Sequence, residues 1–212
     1  MGVLAGERRG DLLNAPAAAL VGAAYLMGSI SFAVLLVRLR TGRDIRSEGS
    51  GNAGATNVAR AHGRVLGATV ALLDAAKGAA AVLLMRTVTA DPRYAAAAGL
   101  AAIVGHVFPI FYGFRGGKGV ATAIGAFLVL APLPTLVCAA AFVLVVLLTR
   151  YVSLGSVLAM VLLPPVAGGL FHAPLPIVGA AAAAAVLIVV KHRENLRRLA
   201  RGEERRFGAP KK

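Results

Sequence analysis

Residues 118–150 read KGVATAIGAFLVLAPLPTLVCAAAFVLVVLLTR, and how this run is threaded decides the fold. It is apolar from Val120 to Leu148, with Pro132 and Pro134 near its middle and a basic residue, Lys118 or Arg150, at each end. As one kinked helix it would be roughly 43 Å long. As two helices joined at the prolines, each would be roughly 20 Å long. Basic residues favour the cytoplasmic side of a membrane. A hairpin returns Lys118 and Arg150 to one side, whereas a single helix separates them, so the charges select the hairpin.

Working outward, further apolar runs cover 15–37, 65–85, 94–114, 154–171 and 174–190, several of them near the roughly 20 residues that span hydrocarbon. Asp91-Pro92 marks a turn before the third run. The chain has 212 residues, 58% hydrophobic and only 15% charged, against about 25% charged in a soluble domain. The expectation is an all-α polytopic membrane protein with about seven transmembrane helices, its N-terminus outside and its C-terminus cytoplasmic. All but five of the 23 Lys and Arg (Arg8, Arg9, Lys77, Arg86 and Arg93) then fall on the cytoplasmic side, in 38–64, 115–118, 150 and 191–212. Residues 1–14 read as an extension, 15–207 as a single membrane-embedded domain and 208–212 as a basic tail. Neither an internal repeat nor the inverted symmetry of transporters is visible.

The net charge of +14 is distributed as membrane loops, where it meets anionic lipid, and no soluble stretch is long enough to build a nucleic-acid-binding face. The single cysteine, Cys138, lies inside an apolar run, so it supports neither a disulfide framework nor a Cys-based metal site. Arg8 and Arg9 precede a run too long for a signal-peptide core, and Glu7 and Asp11 beside them do not fit a twin-arginine signal.

Three polar segments interrupt the apolar chain. In the first, Gly49-Ser50-Gly51-Asn52-Ala53-Gly54-Ala55-Thr56-Asn57, the glycines leave main-chain N–H groups unshielded and Ser50, Asn52, Thr56 and Asn57 add short polar side chains. Successive bare N–H groups form anion-binding nests, and a helix starting at 55–60 would aim its N-terminus at the same place. The second is Gly116-Gly117-Lys118-Gly119. It is not a P-loop, since Tyr112 stands where that motif needs glycine and Gly119 where it needs Ser or Thr. Its glycines still allow close approach to an anion, with Lys118 as a point charge. In the third, His192 and Asn195 would share a face at the membrane surface on a helix continuing from the last span.

Asp74 and Lys77 lie three apart within the second span, either as a structural pair or with Lys77 reaching the pocket. Ser153 at a helix start either caps that helix or bonds a substrate. Gly67, Phe111, Ile177 and Arg197 stand five residues after the four histidines, so no His-x4-Asp pattern exists. There is no Gly-x-Ser-x-Gly elbow, and neither a carboxylate pair nor a His-x-x-Glu-His metal set. The pattern is that of a protein built to hold anions rather than to form a covalent intermediate.

Together the segments resemble the bacterial acyl-phosphate-dependent glycerol-3-phosphate acyltransferase family (PlsY). The resemblance is carried by Gly28-Ser29-Ile30-Ser31-Phe32, by Asp44-Ile45-Arg46 with Gly49–Asn57, by Gly105-His106-Val107-Phe108-Pro109 with Gly116–Thr122, and by His192–Leu199 followed by Gly202-Glu203. Ser31 departs from a proline common in the family. The resemblance implies a seven-helix enzyme of the bacterial inner membrane, with a cytoplasmic active site. It would move a fatty acyl group from acyl phosphate to the sn-1 hydroxyl of glycerol 3-phosphate, giving lysophosphatidic acid and phosphate. By motif match, family roles fall on Ser50, Arg60, Lys118, Ser153, His192 and Asn195. The expected catalytic set is His192, Asn195 and Lys118. The expected substrate-binding set is Ser50, Gly51, Asn52, Thr56, Asn57, Arg60, Gly116, Gly117 and Ser153. No cofactor or metal is expected. Expected partners are glycerol 3-phosphate, acyl phosphate, membrane lipid and, as a candidate for docking, the enzyme that makes acyl phosphate; nucleic acid is not among them. The competing reading is a transporter for a phosphorylated metabolite.

Overall fold

A computed structural model describes residues 2–208, with side chains from Ala15 onward. The end of the basic tail, 209–212, and the side chains of the extension lie outside the described residues. Among those described, the elements are helices: α1 (Gly2–Gly28), α2 (Phe32–Thr41), α3 (Ala55–His62), α4 (Arg64–Arg86), α5 (Pro92–Val107), α6 (Val120–Leu130), α7 (Pro132–Thr149), α8 (Val152–Pro165), α9 (Leu175–Lys191) and α10 (Arg193–Ala200). Local chemistry sets their ends. Ser31 accepts the Val34 N–H and restarts the chain as α2 after a break at 29–31, and Asp91 accepts the Arg93 N–H ahead of Pro92, which opens α5. Pro164 and Pro165 lack N–H donors, and α8 passes directly into one wider turn, Val166–Leu170.

Five helical stretches are long and apolar enough to cross a membrane: Ala15–Thr41, Arg64–Arg86, Pro92–Tyr112, Pro132–Thr149 and Val152–Leu170. A sixth is α9 with α10, bent by 57° at His192. α6 has 11 residues, about 16 Å, and reaches only about half the hydrocarbon depth. The break between α6 and α7 is sharp. Ala131 leaves helical geometry, at φ −147° and ψ 76°, and Pro132 opens α7. Val120 and Phe142, equally far in sequence from Ala131, line the same cavity. α7 therefore runs back alongside α6, as the basic residues at the two ends of this run require.

The packing is small inside and large outside. The core is largely alanine, Ala81, Ala98, Ala102, Ala126 and Ala181 among them, while Leu72, Leu147, Leu148 and Leu175 are more than two-thirds exposed. Water would penalise that arrangement; lipid does not, and small residues let helix backbones approach. α4 and α6 meet this way. A Cβ at Gly78 would stand 2.1 Å from the Thr122 carbonyl oxygen, and one at Gly125 1.8 Å from that of Ala75. This contact fixes α6, and with it the Lys118 loop that leads into it.

Candidate active site

The first wall of the site is the segment 44–62. Asp44 accepts the Arg46 main-chain N–H and binds its guanidinium at 2.7 Å, which holds the carboxyl down to about 2. Arg46 then donates to the Tyr112 carbonyl at 2.8 Å, tying the segment to the turn after α5. Asn57, 3% exposed, makes four bonds. Its Oδ1 accepts the Ser50 N–H at 2.9 Å, and its Nδ2 donates to the carbonyls of Ile45, Glu48 and Asn52. Gly49, at φ +61°, is obligatory, because a Cβ there would sit 2.3 Å from Asn57 Oδ1. α3 begins at Ala55 as the glycine segment suggested, and its first turn, Ala55 and Thr56, faces the cavity.

The second wall is the loop 113–119. Gly117 donates its N–H to the His106 carbonyl, and a Cβ on Gly117 would lie 2.1 Å from His106 Nε2. Glycine here buys contact with α5 and leaves Lys118 projecting. His106 in turn stands 3.5 Å from Asp74, which pairs with Lys77 at 2.8 Å. Lys77 also donates to the Ile30 carbonyl, so Asp74 and Lys77 are a structural pair and only Asp74 faces the cavity.

The third wall is the α9–α10 junction. The expected continuous helix bends at His192, whose Nδ1 lies 2.8 Å from the Ile188 carbonyl. A carbonyl only accepts, so Nδ1 carries the proton and Nε2 keeps its lone pair. Burial and the Lys118 charge push the imidazole down to about 4, so it is neutral. Asn195 accepts from Lys118 Nζ with its oxygen and donates to Glu204 Oε1 at 2.7 Å with its nitrogen. Burial lowers Lys118 to about 8, against the pull of Glu204 and with the push of Arg198, Arg60 and Lys191.

These walls enclose a cavity of about 980 Å³. Ser50, Asn52, Thr56, Asn57, Arg60, Lys118, Ser153, His192 and Asn195 line it together. Gly51, Gly116 and Gly117 do not. The Gly51 N–H is spent on the Glu48 carbonyl and the Gly117 N–H on His106, so neither is a bare donor for an anion. A Cβ at Gly116 would strike the His106 carbonyl at 2.1 Å, so Gly116 serves close packing. Ser50 offers its hydroxyl, its N–H being held by Asn57. Ser153 is not a cap, since α8 begins one residue earlier. Its hydroxyl donates to Glu204 at 2.9 Å.

Glu204 is the residue the sequence reading missed. It is 7% exposed and also accepts from Arg198 Nε at 2.9 Å. Burial pushes its carboxyl up, but the bonds from Asn195, Ser153 and Arg198 outweigh that and hold it below the usual range. The segment around it is tied against the cavity: Glu204 and Arg205 line it, Arg60 donates to the Arg205 carbonyl, and the Phe207 N–H to the Arg150 carbonyl. Six cations, Arg60, Lys118, Lys191, Arg193, Arg198 and Arg205, line the cavity against Asp74, Glu194 and Glu204. The excess favours an anionic ligand. Among the described residues no group of three His, Cys, Asp or Glu could hold a metal ion.

The family model described as glycerol-3-phosphate acyltransferase matches residues 18–202. A protein of Geobacter sulfurreducens named glycerol-3-phosphate acyltransferase is 50% identical over 191 residues, covering 90% of this chain and 97% of that one. One of Anaeromyxobacter dehalogenans with the same name is 46% identical over 200 residues, covering 92% and 98%. The crystal structure of PlsY, an integral membrane glycerol 3-phosphate acyltransferase, in its glycerol 3-phosphate form superposes with a TM-score of 0.86 at 40% identity, over 91% of this chain and 96% of that one. Its lysophosphatidic acid form gives 0.83 at 38% identity, over the same shares.

Proposed function

The chain belongs to the glycerol-3-phosphate acyltransferase family, and on that premise we propose that it transfers a fatty acyl group from acyl phosphate to the sn-1 hydroxyl of glycerol 3-phosphate. The products are lysophosphatidic acid and inorganic phosphate. The protein works as a multi-pass protein of the bacterial inner membrane, with seven crossings if the α6–α7 hairpin counts as two, and its cavity opens to the cytoplasm. The basic residues flanking the hairpin and the spans support that orientation.

The observation that carries the reading is the convergence of Ser50, Arg60, Lys118, Ser153, His192 and Asn195, from distant stretches of chain, on one cation-rich cavity. Both substrates are phosphates, and each needs charge and N–H or O–H donors. Acyl phosphate is already activated, so the protein supplies placement and charge stabilisation rather than a nucleophile. The glycerol oxygen bonds to the acyl carbon, the bond from that carbon to the phosphate oxygen breaks, and phosphate leaves with the electron pair. The hydroxyl proton goes to a substrate phosphate oxygen. His192, held near 4, is a weaker base than a phosphate group whose second ionisation is near 6. His192 Nε2 instead accepts from the other hydroxyl of glycerol 3-phosphate, the one that is not acylated, and so orients the substrate. Lys118 and Arg60 hold phosphate; Ser50 and the first turn of α3 complete the cradle.

Purified protein in detergent, given labelled acyl phosphate and glycerol 3-phosphate, should release phosphate and form labelled lysophosphatidic acid. Acyl-CoA and acyl-carrier protein, run in parallel, should give none. Product from either of those and none from acyl phosphate would overturn the donor assignment.

A further inference from the structure

The transfer chemistry leaves Asp74 without a task. It is 1% exposed, lies within the α4 span and lines a cavity that gathers cations for an anionic substrate. A buried carboxylate opposes such a substrate, and it is costly to hold at that depth unless it is paired. Its neighbours supply the reason for its place.

Lys77 Nζ lies 2.8 Å from Asp74 Oδ1 and donates to the Ile30 carbonyl at 2.6 Å, which pins α4 to the break between α1 and α2. Asp74 Oδ1 also stands 3.5 Å from Nδ1 of His106, itself 6% exposed. Both atoms are buried, and neither makes a hydrogen bond to any other group. A carboxylate only accepts, so the Nδ1 proton faces Asp74 and the Nε2 edge of the ring is bare. That edge lies against Gly117, with no room for a methyl group between them. A Cβ on Gly117 would also stand 3.0 Å from the Ala53 carbonyl oxygen, so Gly117 touches both the ring and the 44–62 wall. The His106 carbonyl takes the Gly117 N–H at 3.1 Å, and the next residue is Lys118.

We propose that Asp74 is a positioning residue that acts through His106: it fixes the imidazole ring, and the ring sets where Lys118 stands relative to the Ser50 wall. The line Ile30, Lys77, Asp74, His106, Gly117 carries the position of the α1–α2 break to the cation that holds phosphate. A site of this kind works only while its groups are held to about 0.5 Å by locked neighbours. Asp74 itself touches no substrate. The inference rests on the acyl-transfer reading above, in which Lys118 holds phosphate, and goes beyond it in naming what places Lys118.

The test is a double-mutant cycle on kcat/KM for glycerol 3-phosphate, with labelled acyl phosphate as donor. Asp74→Asn keeps the shape and removes the charge that orients Nδ1. It should lower kcat/KM about tenfold in the otherwise native protein, and by less than about twofold in Lys118→Ala, where no ammonium is left to misplace. A merely structural loss would scale both backgrounds by the same factor. Asp74→Asn leaves Lys77 unpaired; if that variant fails to fold, Asp74→Asn combined with Lys77→Met restores the charge balance and enters the same cycle. If Lys118→Ala turns over too slowly to follow, equilibrium dialysis of labelled glycerol 3-phosphate gives the cycle in Kd instead. Equal factors in both backgrounds, or no loss in either, overturn the inference alone. If the wild-type protein neither binds nor acylates glycerol 3-phosphate, the acyl-transfer reading fails and takes the inference with it.

Discussion

The two sides of the cavity are held together in opposite ways. The 44–62 side is tied mainly by near neighbours, with one distant bond from Arg46 to the Tyr112 carbonyl. Asn57 bonds partners no more than twelve residues away, and Asp44 clamps Arg46 two residues on. The side built by Lys118, Ser153 and the C-terminal segment is tied by distant ones. Lys118 meets Asn195 across 77 positions, Ser153 meets Glu204 across 51, and Arg60 meets the Arg205 carbonyl across 145. One side is a loop that its own side chains can fold. The other exists only once α6, α8 and α9 have packed. A cavity made this way has a preformed half and an assembled half, and Lys118 and Arg60 are where they join.

Removing the join should do most. Lys118→Ala deletes a cation that lines the cavity and the partner of Asn195, and turnover should fall by a factor of about a hundred to a thousand while the helices stay packed. Steady-state kinetics beside a melting curve would check it; near-normal turnover would sink the role. Next comes the preformed half. Asn57→Ala leaves the Ser50 N–H and three carbonyls without a buried partner, at about 1–3 kcal/mol for each left unsatisfied. Stability and activity should fall together, as thermal unfolding followed alongside the assay would register. The assembled half should behave differently. Glu204→Gln keeps an acceptor for Ser153 but loses the charge that faces Arg198 and Lys118. KM for glycerol 3-phosphate should rise about tenfold with a smaller change in melting temperature. Equal losses in both variants would erase the distinction between the halves.

That distinction also marks what the sequence could say. Ser50, Lys118, His192 and Asn195 were readable because polar and glycine residues stand out between apolar runs, and basic residues sort to one side; Arg60 was reached only through the family resemblance. The hairpin at Pro132 was readable from charge for the same reason. Asn57 looked like a ligand and is mainly a clamp, since an amide in a glycine-rich loop has the same signature in either role. Gly116 and Gly117 looked like bare donors and are close-packing residues, which only the position of His106 reveals. Glu204 could not be told from Glu194 or Glu203 in a basic tail. Its selection depends on the turn at Gly202, φ +70°, which swings it back onto Ser153 and Asn195. The bend at His192 was equally hidden, because no proline or glycine announces it.

The smallest expected effect is one of pH, and it separates the halves without removing either. Lys118 is lowered by burial to about 8, so its ammonium is present below that pH and is lost as pH rises through it. With glycerol 3-phosphate subsaturating, kcat/KM should fall on the alkaline side with a midpoint near 8. Lys118→Arg keeps a charge at all accessible pH and should remove that limb, at some cost in rate because a guanidinium cannot copy a point charge. Glu204 raises Lys118, so Glu204→Gln should move the limb to lower pH. Asn57, tied only to main-chain groups of its own loop, should leave the midpoint where it is in whatever active fraction Asn57→Ala retains. A limb that ignores Glu204 but follows Asn57 would mean that Lys118 takes its charge environment from the preformed wall, and the division of the cavity into two differently built halves would have to be redrawn.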